Sequence, residues 1–166
     1  MISTVLVNIA GLVRPLLLVA TLVFACLGWS LLGRGRTGRR WLGGLALLGV
    51  GSALALTLTP DTAARPSSFC AVEARLLTEG VLDLPNTMLL LPAALFGALW
   101  SGRALPVLAA VAGLSALIEF IQAALPIGRA CDTNDFIANT LGAAIGVLIA
   151  ALLLTARRRR RSRGSS

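Results

Sequence analysis

The chain has 166 residues, 57% of them hydrophobic and 13% charged, with a mean hydropathy of +0.86. A soluble domain carries about 25% charged residues; here the charges stand between long apolar runs, which excludes an ordinary soluble core and points to a membrane protein. The net charge of +8 does not indicate nucleic-acid binding, because the arginines flank apolar spans, where basic residues set orientation.

All basic residues are Arg, and His is absent. The commonest metal ligand and the usual proton shuttle are therefore missing. The opening, MISTVLVNIAG, lacks the basic n-region and cleavage site of a signal peptide, so the first apolar stretch is expected to be retained.

A helix crosses the hydrocarbon with about 20 apolar residues. The first such span is read over 15–32, with residues 1–13 either extending it or lying in the interface. The second is read over 41–59 and the third over 84–100. The fourth is read over 104–125 and the fifth over 136–155. The connection over 60–83 is the longest. After Pro66 it reads either as an interfacial amphipathic helix, with Phe69, Val72, Leu76 and Leu77 on one face, or as a solvated loop.

Arginine counts orient the spans. Eleven arginines fall on one side: Arg34, Arg36, Arg39 and Arg40 after the first span, Arg103 after the third, then Arg157 to Arg161 and Arg163 in the tail. Arg14, Arg65, Arg75 and Arg129 fall on the other. The expected architecture is an all-α bundle of about five transmembrane helices, N-terminus outside and C-terminus inside. Residues 1–156 form one membrane domain, and 157–166 a basic, disordered cytoplasmic tail.

Cys26 lies in the first span and reads as an inert apolar side chain. Cys70 and Cys131 both fall in outside loops. An oxidising exterior permits a disulfide between them, and two unpaired thiols are the alternative.

Polar groups inside a span cost a few kcal/mol near the bilayer centre and ask for an explanation. Ser115, Glu119 and Gln122 share one face of the fourth span, at i, i+4, i+7. The fifth opens with Asp132 or Asn134 as a cap. Asp135, Asn139, Gly142 and Gly146 then follow on one face. Asn86 opens the third span, just after Pro85. The topology brings these groups to one membrane depth, with Arg129 in the short loop between the last two spans as an ion-pair partner. A polar knot fastening three helices is the structural reading. Three carboxylates against one arginine favour a functional one, because surplus buried negative charge needs a proton, a cation or a ligand amine. The small residues Ala138, Gly142, Gly146 and Ala150 form a packing ladder.

At these residues the sequence resembles the VanZ-like family of bacterial membrane proteins. The family stretch is Glu-x-x-Gln, then Arg-x-x-Asp-x-x-Asp-x-x-x-Asn-x-x-Gly-x-x-x-Gly. Glu119 and Gln122 match its first part. Arg129, Asp132, Asp135, Asn139, Gly142 and Gly146 match the second. Upstream, Asn86 and Pro92 resemble the family's Asn and Pro-x-Gly, with Ala94 in place of the Gly and Leu in place of an aromatic before the Pro. Leu58-Thr59-Pro60 also resembles the family, and the similarity covers about 45–150. The resemblance implies a multi-pass protein of the bacterial cell membrane, in a family named for a teicoplanin-resistance accessory protein, and no established reaction.

The expected function is non-enzymatic. An outward site made by Asn86, Glu119, Gln122, Arg129, Asp132, Asp135 and Asn139 would bind a lipid-linked cell-wall precursor, a phospholipid or a lipophilic glycopeptide. The competing readings are a membrane-embedded enzyme acting on lipid headgroups, with carboxylates as acid–base groups, and a proton-coupled transporter or flippase. No cofactor and no resident metal are expected; membrane lipids are the general partner, and the oligomeric state is open.

Overall fold

The computed structural model describes residues 2–60, 84–125 and 131–163, with side chains from residue 15 onward. The described residues form five helices: α1 (Ile2–Leu32), α2 (Gly35–Leu58), α3 (Leu84–Ser101), α4 (Ala104–Ala124) and α5 (Thr133–Arg163). Each is long and apolar enough to cross a membrane. At 1.5 Å per residue, an 18-residue α3 is about 27 Å long, close to the hydrocarbon thickness.

The surface supports the same reading. Leu47 is 75% exposed and Leu105 77% exposed, and Leu16, Leu56, Phe120 and Leu152 also point outward. Water would penalise such a surface by about 25 cal/mol per Å2 of apolar area, whereas acyl chains do not. The interior is built of smaller residues. Ala53, Ala94, Ala143 and Ala150 are fully buried beside Leu90, Leu95 and Phe96.

α3 is the central helix; more than half of its span is buried. Its neighbours approach its backbone at glycines. A Cβ on Gly142 would run into the Thr87 carbonyl oxygen, and one on Gly146 would lie 2.5 Å from the Leu91 carbonyl oxygen. Both partners advance by four residues, so α3 and α5 run parallel. On the opposite side, a Cβ on Gly49 would lie 2.9 Å from the Ala93 nitrogen, while Gly43 faces Trp100. Those partners advance in opposite senses, so α2 and α3 are antiparallel. Close backbone approach is how helices gain contact where lipid removes the hydrophobic drive. α1 lies along α3 through a 3.6 Å contact from Thr21 Oγ1 to Met88 Sδ and an edge-to-face pair, Phe24–Phe96, with centroids 6.0 Å apart.

This arrangement gives the bundle two unlike ends. One collects the end of α2, the start of α3, the end of α4 and the start of α5, and holds Glu119, Asp132 and Asp135. The other collects the α1–α2 turn, the α3–α4 turn and the end of α5, and holds every arginine whose side chain is described.

One alternative left open by the sequence is decided, and two helices have other boundaries than the sequence reading gave them. α1 continues back to Ile2, so residues 2–13 extend the first helix. α2 starts at Gly35, which puts Arg36, Arg39 and Arg40 on its first turns. The reversal from α1 is therefore a two-residue turn, Gly33-Arg34. Gly35, at φ +60°, completes it, and a Cβ on Gly38 would strike the Leu31 carbonyl. α5 runs on to Arg163, where a disordered tail is expected from residue 157. Arginine is a good helix former, and cations suit a helix C-terminus, so nothing local ends the helix there. The connection over 61–83, including the interfacial-helix reading, lies outside the described residues.

Candidate functional site

The site is assembled where α4 ends and α5 begins. Asp132 precedes α5 and caps it: its Oδ1 accepts a 2.8 Å hydrogen bond from the Asn134 N–H. Its carbonyl accepts from the Asp135 and Phe136 N–H groups at 3.1 and 3.3 Å. An Asp at this position satisfies a donor that the helix itself cannot. The backbone N–H of Asp132 in turn donates 3.0 Å to Glu119 Oε2 on α4. One residue thus starts α5 and ties it to α4.

Glu119 is 8% exposed, and both Asp132 and Asp135 lie within electrostatic reach of it. Asp132 and Asp135 are half-buried. Beside them opens a cavity of about 250 Å3, lined by Ala116 and Glu119 from α4 and by Cys131, Asp132, Thr133 and Phe136. Each side thus brings one carboxylate and an apolar side chain, Glu119 with Ala116 and Asp132 with Phe136, which suits a ligand with a polar or cationic group on an apolar body.

Behind this notch the helices hold polar side chains in unusual number. Gln122 is buried, and its Nε2 donates 3.1 Å to the Thr57 carbonyl, joining α4 to α2. Ser115 and Asn139 are 0% and 1% exposed. Four buried atoms here have no hydrogen-bond partner among the described residues: Ser115 Oγ, Gln122 Oε1, Asn139 Oδ1 and Thr140 Oγ1. An unsatisfied polar group in such surroundings costs about 1–3 kcal/mol. Asn86 sits half-buried in the first turn of α3. It is next to Thr87, whose carbonyl packs on Gly142, and so lies near the depth of Asn139.

The structure therefore brings Asn86, Glu119, Gln122, Asp132, Asp135 and Asn139 to one end of the bundle. Arg129 and Cys70 lie outside the described residues. Cys131 is disulfide-bonded, and Cys26 is free. Gly142 and Gly146 pack against α3 as the small-residue ladder implies. Pro92 lies inside α3, where its missing N–H releases the Met88 carbonyl from the helical ladder. Ala94 is fully buried and faces Gly146. Sequence reasoning missed Thr140 and Phe136 as part of the site, together with the Thr57 carbonyl. Thr140 adjoins Asn139, which was a usable signal; a backbone acceptor leaves none.

A protein-family model described as VanZ/LLP1 matches residues 4–154 of the chain. The chain belongs to the VanZ/LLP1 family. The match takes in α1 as well, so the family region is wider than the stretch of about 45–150 read from motifs. No curated protein and no solved structure gave a match. In this VanZ-family chain Glu119 and Gln122 of the motif lie on α4, Asp132 lies just before α5, and Asp135, Asn139, Gly142 and Gly146 lie on α5. The hydrogen bond from Asp132 to Glu119 joins them.

Proposed function

We propose that this VanZ-family chain is a multi-pass protein of the bacterial cell membrane, with its arginine-rich end in the cytoplasm. The Glu119 notch then opens outward and binds the cationic or amide-rich group of a lipid-linked envelope component or a lipophilic glycopeptide. Binding there contributes to teicoplanin-type resistance or to envelope maintenance. The reading rests on one observation: a buried carboxylate rims an amphipathic cavity, and unpartnered polar atoms stand behind it. An amine pairs with such a carboxylate, and an amide-bearing ligand satisfies both donors and acceptors.

The test replaces charge while keeping shape. In cells that depend on this protein for growth in teicoplanin, Glu119→Gln and Asp135→Asn are expected to abolish protection at wild-type membrane levels. Full protection by both variants would overturn the proposal.

A further inference from the structure

The opposite end of the bundle holds a second cavity, of about 280 Å3. Trp29 and Gly33 line it from the end of α1 and the turn that follows, and Arg157, Arg160 and Arg161 from α5. The arginines are spaced i, i+3, i+4 and so share one helix face, while Arg158 and Arg159 fall away from it. The Arg160 guanidinium stands 5.1 Å from the centre of the Trp29 ring, a cation–π distance that holds one arginine in place. Arg157 is half-buried, unlike its two successors. Gly33 adds no side chain to the lining.

Three like charges within two turns repel one another. The described carboxylates belong to the other end: at 1.5 Å per residue, α5 alone puts about 42 Å between Asp132 and Arg160. The counter-charge for this pocket therefore comes from outside the described chain. Its depth says from where. Trp29 lies in the last turn of the apolar span Pro15–Leu32, at the level of lipid headgroups, where indole rings gather. Guanidinium groups match phosphate oxygens in both charge and geometry.

We infer that this cavity binds the phosphodiester of an anionic membrane lipid. A zwitterionic lipid brings its own ammonium into the arginine cluster and is disfavoured. The site is independent of the Glu119 notch and belongs to the other leaflet.

Native mass spectrometry of the full chain in detergent, titrated with phosphatidylglycerol or phosphatidylcholine, tests this. Phosphatidylglycerol is expected to bind about tenfold more tightly than phosphatidylcholine. R157Q/R161Q, which keeps the Arg160–Trp29 pair, is expected to lose that preference. R158Q/R159Q removes the same charge from the same helix and is expected to retain it. Equal loss in the two double variants, equal binding of the two lipids, or displacement of bound phosphatidylglycerol by millimolar inorganic phosphate would each overturn the inference.

Discussion

At the residue scale, Asp132 does two separable things. Its side chain caps α5 through Asn134, and its backbone N–H fastens Glu119. Removing the cap costs about 1 kcal/mol, so Asp132→Ala is expected to lower the thermal unfolding midpoint of the detergent-solubilised protein. Asp132→Asn keeps an acceptor oxygen in the same place and is expected to stay close to wild type in the same measurement. The pair distinguishes loss of the cap from loss of charge. Glu119→Gln likewise keeps an oxygen for the Asp132 N–H, so its effect on ligand response reads charge rather than a broken tie between α4 and α5.

At the element scale, the decisive packing is α3 held between two glycine-bearing helices. The obstacle to a methyl at Gly142 is the Thr87 carbonyl, which is backbone and has no rotamer to change. Overpacking of this kind costs about 1–3 kcal/mol. Gly142→Ala is therefore expected to lower thermal stability and to disturb the neighbouring Asn139 and Asn86. Gly113→Ala on α4 is the control, because a Cβ there meets nothing within 4 Å; its unfolding curve is expected to match the wild type or improve slightly. Equal destabilisation by both would show that the α3–α5 contact is not what the glycine serves.

At the scale of the whole molecule, the bundle is polarised along its axis. Among the residues whose side chains are described, carboxylates stand at one end and arginines at the other, with Arg39 also set over Trp100 at 5.9 Å. The proposed orientation rests on the arginine bias through the positive-inside tendency. Single cysteines at the exposed positions Ala124 and Arg103 report the two ends. A membrane-impermeant maleimide is expected to label Ala124→Cys in intact cells and Arg103→Cys only after permeabilisation. The reverse pattern would place the Glu119 notch in the cytoplasm and remove the basis for an envelope ligand.

The sequence by itself determined that the chain is a helical membrane protein. Run length and hydropathy are local properties, and the bilayer imposes one length on every span. It also determined which polar residues share a helix face, since the 3.6-residue period places Glu119 with Gln122 and Asp135 with Asn139 before any packing is known. Only the tertiary structure decided that Asp132 rather than Asn134 is the cap, and that its N–H reaches Glu119. It likewise set α2 to begin six residues before Trp41 and carried α5 through the arginines to Arg163. The tie to Glu119 is a hydrogen bond between two helices, and residue spacing along one helix carries no record of what the neighbouring helix presents; the cap and the two helix ends are local, but there several residues are locally competent and the sequence does not rank them.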